Sequence, residues 1–143
     1  MTDTARRILL GILLLGVIGI MAELLLLAHY EDASQWIPLV LNAVTMLLCA
    51  LVALRPSRGL LRLFQTVMVL MIISGGLGMY LHLGANMEFQ LEMDATLSGW
   101  ALLKKSMVAK APPALAPGAM TQLGLIGLAY TFGHPVLGTR RTS

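Results

Sequence analysis

The sequence predicts an all-helical integral membrane protein with four transmembrane helices, and with an amphipathic helix in the extracytoplasmic loop between helices 3 and 4. Of its 143 residues, 57% are hydrophobic and only 12% are charged, which is far from the composition of a soluble domain. A water-soluble fold of this length could not bury four long apolar runs. The basic residues lie in ones and twos at the ends of these runs, which is typical of membrane topology signals. We therefore expect a single four-span membrane domain over residues 1–143.

The first two predicted spans are residues 8–28 and 36–54. The first follows Arg6 and Arg7, carries Glu23 as its only charge, and at 1.5 Å per residue is about 30 Å long, enough for the hydrocarbon core. No small-residue cleavage pattern follows it, so we expect it to be retained rather than removed as a signal. The connection to the second span is acidic and has no lysine or arginine, which predicts an outside turn.

The third and fourth predicted spans are residues 60–83 and 119–137, and the outside loop covers 84–118. Arginines flank the four spans on one side: Arg6, Arg7, Arg55, Arg58, Arg62, Arg140 and Arg141. This bias predicts a multi-pass protein of the plasma (inner) membrane with both termini in the cytoplasm.

Small residues are clustered in the third span, where Ser74, Gly75, Gly76 and Gly78 follow one another closely. Ser74 and Gly78 match the small-xxx-small pattern that lets helices approach each other in a membrane. A local kink is the alternative. Close packing is the more common use of such a cluster.

The outside loop contains two patterned stretches. Residues 87–94 alternate apolar and polar side chains, as a strand does, although a helix would also place Glu88 and Glu92 one turn apart on one face. The pattern leaves both structures open. Residues 96–110 have apolar side chains at helical spacing with lysines between them, which predicts an interfacial amphipathic helix.

Polar side chains in the outer halves of the spans form the predicted binding region. The candidate ligand-binding residues are Glu23, Asn42, Tyr80, Asn86 and Gln122. An ionisable side chain inside a span costs roughly 3 kcal/mol, so Glu23 should face the bundle and have a partner, with His82 or Asn42 expected in that role. A single interhelical hydrogen bond that fixes packing is the alternative.

Two histidines at the outer helix ends, with carboxylates after the second, raise the possibility of a metal site. His29, His82, Glu88 and Glu92 are the candidate ligands, since imidazole and carboxylate suit a divalent transition metal. Their spacing matches no known ligand motif. A haem between His29 and His82 is disfavoured because it would be half exposed. Solvated side chains at the level of the lipid headgroups are the alternative.

Several classes of function are excluded or disfavoured. The single cysteine, Cys49, excludes an intramolecular disulfide and a paired-thiol redox role. No nucleotide-binding or nucleophile motif occurs in the sequence. The layout resembles the small multidrug transporters in outline, with four helices and an acidic residue in the first. Those proteins have shorter loops and a glutamate near mid-membrane, whereas Glu23 lies in the outer quarter, so the resemblance is architectural and assigns no family.

The sequence favours a non-enzymatic role as an accessory, assembly or interaction subunit of a membrane complex, with a polar pocket in the outer leaflet. The expected partners are membrane lipid and other membrane protein subunits, or a second copy of the chain, and no nucleic acid. A membrane protein that binds a metal or a lipid-like ligand, and that could be an enzyme, is the first alternative. A proton-coupled transporter centred on Glu23 is the second.

Overall fold

The structure, a computed structural model, describes residues 1–108 and 114–138. Five α-helices occur in these ranges: α1 Asp3–Leu26, α2 Trp36–Leu54, α3 Arg58–Met93, α4 Gly99–Met107 and α5 Leu115–Thr131. A short 3-10 turn, Ala33–Gln35, leads into α2, and the described ranges contain no strand. Three residues used in the sequence analysis, Lys110, Arg140 and Arg141, lie outside the described residues.

Three helices are long and apolar enough to cross a membrane: α1, α2 with its preceding 3-10 turn, and α3. Within the most apolar 18-residue window of each, only 22%, 33% and 33% of the residues are buried. Each of these helices therefore exposes several large apolar side chains, for example Leu15, which is 74% exposed. Lipid suits such a surface and water does not. The prediction of an all-helical chain with membrane-spanning helices is confirmed to this extent.

Four helices form a ring in which each packs against two neighbours. The order around the ring is α1, α2, α3 and α5, and no direct contact between α1 and α3 or between α2 and α5 is found among the described residues. The core inside the ring includes Leu13 of α1, Leu48 of α2, Phe64 and Met68 of α3, and Leu123 of α5. The fourth helix, α5, begins and ends earlier than predicted and has 17 residues.

The prediction that the third helix ends near residue 83 was wrong. The helix α3 has 36 residues and continues to Met93, ten residues beyond the predicted boundary at residue 83. At 1.5 Å per residue it is about 54 Å long, well above the roughly 30 Å of a hydrocarbon core. The change to polar side chains at His82 marks a change of surroundings. It does not stop the helix, because each added residue gains a hydrogen bond and no proline interrupts the run.

The segment predicted to be an outside loop, residues 84–118, is largely helical where the structure describes it. The stretch 87–94, for which strand and helix were both open, is helical up to Met93. The predicted amphipathic helix is α4, with tighter bounds than 96–110, and it buries Leu102 and Ser106 while its lysines stay exposed.

Helices α3 and α5 pack closely because glycine lies at their contact. A Cβ atom built on Gly75 would lie 2.5 Å from the carbonyl oxygen of Pro117, and one built on Gly124 would lie 2.7 Å from the carbonyl oxygen of Met68. Both distances are shorter than any real contact, and the obstructing atoms belong to backbone. Gly75 is thus used for close packing, whereas the adjacent Gly76 has nothing within 4 Å among the described residues.

The beginnings of α1 and α3 and the end of α5 meet at one end of the bundle. The Arg6 Nη2 atom donates a hydrogen bond to the carbonyl oxygen of Gly133 at 2.6 Å. Gln65 Nε2 donates to Thr131 Oγ1 at 3.0 Å. We call this the arginine end, because Arg6, Arg7, Arg58 and Arg62 lie in the first turns of α1 and α3.

The close contact predicts different effects of alanine at two neighbouring glycines. Gly75→Ala should lower the free energy of unfolding by roughly 1–3 kcal/mol, because α3 and α5 must move apart to admit the methyl group. Gly76→Ala adds the same methyl group in open space and serves as the matched control. Thermal unfolding of both variants in detergent would check this, and equal midpoints would contradict the proposed contact.

Candidate functional site

The C-terminal end of α1 has a backbone conformation that positions His29. The N–H of His29 donates to the carbonyl oxygen of Leu24 at 2.9 Å, and the N–H of Ala28 donates to that of Leu25 at 3.2 Å. These two bonds form a Schellman motif, whose residue in the left-handed region is usually glycine. Here Ala28 has a φ of 50°, so the end of α1 is strained in order to make this turn.

His29 meets His82 of α3 at this end, which we call the histidine end. The two rings are stacked, with their centroids 6.1 Å apart and their planes 25° from parallel. Burial, and secondarily the neighbouring His82, lower the pKa of His29 below its ordinary value of 6.5. The neutral form of the His29 ring is therefore favoured in the folded protein.

The predicted metal site is not supported. Glu88 and Glu92 continue along α3 about 9 and 15 Å beyond His82, so they do not join the two histidines. No group of three or more histidine, cysteine, aspartate or glutamate side chains that could hold a metal ion occurs within residues 1–108 and 114–138. The two histidines come together, but the four proposed ligands do not.

Two of the predicted ligand-binding residues lie inside the chain. Asn42 is fully buried and its Nδ2 atom donates to the carbonyl oxygen of Pro38 at 2.7 Å, while its Oδ1 atom has no hydrogen-bond partner. Asn86 is half-buried, and its Nδ2 atom donates to the carbonyl oxygen of Ser106 in α4 at 3.1 Å. Asn42 thus faces the interior of the ring, and Asn86 ties α4 to α3.

The projecting part of α3 and the helix α4 form a helical hairpin. Besides the bond from Asn86, Lys105 Nζ lies 3.9 Å from Asp94 Oδ2. Hydrogen bonds from the side chain and the backbone of Thr96 lower the pKa of Asp94, so its carboxylate stays ionised across neutral pH. Several apolar side chains are exposed on this hairpin: Phe89, Met93, Trp100 and Val108.

The other predicted residues are on the outer surface and do not line a common cavity with Asn42. Tyr80 is 73% exposed on α3. Glu23 is also exposed, which overturns the expectation that it faces the bundle. It has no hydrogen bond or ion pair with any described residue, and neither His82 nor Asn42 is its partner. Among the described residues, none forms a hydrogen bond or an ion pair with the ionisable group in the first predicted span.

A groove lies between α1 and α5, and Glu23 follows its α1 lining residues along the same helix face. The groove has a volume of about 380 Å³, and most of its lining is apolar or small: Ile12, Leu15, Gly16, Gly19, Ile20, Ala119, Gln122, Leu123 and Ile126. Glu23 is one turn from Gly19 on the same stripe of α1. Gln122, on the α5 wall, is the only lining residue with a polar side chain.

The groove was not anticipated from the sequence, although a signal was present. Gly16, Gly19 and Glu23 follow at intervals of three and four residues, which puts them on one helix face. The contribution of Gln122 depends on how α5 packs, and no local pattern reveals that.

The histidine contact predicts a pH dependence of stability. Because the pKa of His29 is lowered in the folded state, the unfolded chain binds more protons between that lowered pKa and 6.5. Stability should therefore rise with pH through this window and be fully present above about pH 6.5. His29→Phe keeps a ring against His82 but cannot titrate, so its unfolding midpoint should change less between pH 5 and pH 7.5. If the unfolding midpoint of His29→Phe changed with pH as much as that of the unmodified protein, His29 would not be the cause of the pH dependence.

No family model, no curated protein and no solved structure matches this chain.

Proposed function

We propose that this chain is an interaction subunit of a membrane complex, and that the groove between α1 and α5 receives a transmembrane helix of a partner protein. The observation that carries the proposal is the outward position of Glu23, an ionisable group in a predicted span. Leaving such a group in lipid costs roughly 3 kcal/mol on insertion scales. A donor on a neighbouring helix offsets that cost, and the described part of this chain supplies none.

The chemistry of the groove indicates what the partner helix carries. We expect the partner helix to carry a lysine, an arginine or another hydrogen-bond donor that contacts Glu23 in the outer leaflet. Gln122, deeper in the membrane, offers an amide that hydrogen-bonds to a polar side chain of the same helix. Gly19 has open space where a Cβ would be, so a partner backbone approaches closely there.

The topology that goes with this function has four spans, with α5 as the fourth. Its 17 residues are at the short end of the range that crosses a bilayer. The contact of Arg6 with Gly133 brings the beginning of α1 and the end of α5 to the same side. The arginines of that side support a plasma-membrane protein with both termini in the cytoplasm and the α3–α4 hairpin outside.

The alternative functions receive less support from the same residues. A metal-dependent activity would need ligands beyond His29 and His82, and the described residues do not assemble them. A transporter centred on Glu23 would need this carboxyl to line a path through the bundle, whereas it lies on the outside of α1.

Site-specific photocrosslinking in native membranes tests the proposal. A photoreactive amino acid at Leu15, in the groove, should form an adduct of defined mass with a partner protein, and Glu23→Leu should lower its yield at least about fivefold because the polar contact is lost. Ile73 is also strongly exposed but lies on α3, so the same amino acid there is the matched control.

The mass and position of the adducts decide the outcome. Equal yields of protein adduct from Leu15 and Ile73, or lipid adducts alone at both, would overturn the proposal. An adduct with twice the chain mass of 15.4 kDa would show that a second copy of the chain, and not a different protein, occupies the groove.

A further inference from the structure

A second site lies at the arginine end, on the opposite side of the membrane from Glu23. A pocket of about 450 Å³ opens beside the start of α3 and the end of α5, lined chiefly by Gln65, Thr131, Phe132, Gly133, His134 and Leu137. We propose that this pocket binds the phosphate group of an anionic phospholipid. None of these residues lines the groove, so the inference does not rest on the partner helix proposed there; it rests only on the proposed cytoplasmic position of the arginine end.

The polar groups of the pocket are arranged to donate hydrogen bonds to an anion. Thr131 Oγ1 accepts from Gln65 Nε2 at 3.0 Å and donates to the carbonyl oxygen of Leu128 at 2.8 Å. One amide hydrogen of Gln65 remains for a ligand. His134 Nδ1 accepts from the N–H of Val136 at 3.3 Å, which assigns the ring proton to Nε2. Among the described residues, no carboxylate lines the pocket.

Cationic side chains extend the polar face of the pocket toward the membrane surface. Arg58, Arg62 and Gln65 follow at intervals of four and three residues, so they share one face of α3. Both arginines are exposed, and neither forms an ion pair within the described ranges. Asp3, the acidic residue at this end, pairs with Arg6 at 3.3 Å instead. The charges of Arg58 and Arg62 are thus left for a ligand.

Position and shape favour a lipid over a free anion. The pocket lies at the ends of membrane helices, where lipid headgroups are located, and basic pockets between helices on the cytoplasmic side suit anionic headgroups. Beside its polar lining, the exposed ring of Phe132 and the side chain of Leu137 offer apolar surface. An acyl chain uses such surface and inorganic phosphate does not.

The experiment is a lipid titration of the full-length protein in mixed detergent micelles. Phosphatidylglycerol should raise the unfolding midpoint at concentrations where phosphatidylcholine and inorganic phosphate do not. Arg62→Gln should weaken the apparent affinity for phosphatidylglycerol about tenfold, because it removes a charge from the face shared with Gln65. Arg55→Gln is the matched control, since it removes the same charge from the adjoining connection but off this face, and it should change the affinity less than twofold.

Three results would overturn the proposal. Equal weakening by Arg55→Gln and Arg62→Gln would show a general surface attraction instead of a site. Stabilisation by inorganic phosphate alone would indicate a free-anion site. Binding would be excluded if phosphatidylglycerol did not raise the unfolding midpoint and native mass spectrometry showed no phosphatidylglycerol adduct. Arg62→Lys, which keeps the charge, should retain most of the affinity and thus separates loss of binding from loss of folding.

Discussion

The close contact between α3 and α5 is the constraint on which the rest of the structure depends. Lipid tails are as apolar as leucine, so hydrophobic burial does not hold helices together in a membrane, and close packing must do so. Gly75 and Gly124 allow each helix to reach the backbone of the other. This contact places α5 beside α1 and Thr131 beside Gln65, and both the groove and the pocket at the arginine end follow from it.

A polar side chain inside a membrane span costs free energy unless it forms a hydrogen bond, and Asn42 and Glu23 differ in this respect. Asn42 carries a donor, and it uses that donor on the carbonyl oxygen of Pro38, one turn earlier in its own helix. The Glu23 side chain forms no such bond with any described residue, and the N–H groups of a helix interior are already bonded, so they offer its oxygens no donor. Its need for a donor from elsewhere is a property of its chemistry and of its outward position together.

The sequence predicts the membrane helices well because hydropathy over 18 or more residues depends little on packing. It also brings His29 and His82 to the same level, as the stacked rings confirm. The end of α3 was predicted too early because the change to polar side chains at His82 indicates a change of surroundings and does not indicate a change of backbone conformation. The direction of Glu23 was missed because α1 is apolar on every side, so no pattern tells which face meets the bundle. The bond between Gln65 and Thr131 joins residues 66 positions apart, beyond any local signal.

The continuity of α3 relates the separate features to one another. It begins at an N-cap where Ser57 Oγ accepts from the N–H of Leu60, passes Gln65 and Gly75, and ends in the hairpin with α4. No proline interrupts these 36 residues, and two of the glycines within them, Gly75 and Gly78, lie against α5. A change in how α3 packs at Gly75 would therefore shift the pocket at one end and the hairpin at the other as parts of one rigid element. The groove and Glu23 lie on α1, which packs directly on α5 and α2 and reaches α3 through the contact of His29 with His82, so these three contacts are the routes for coupling between the groove and α3.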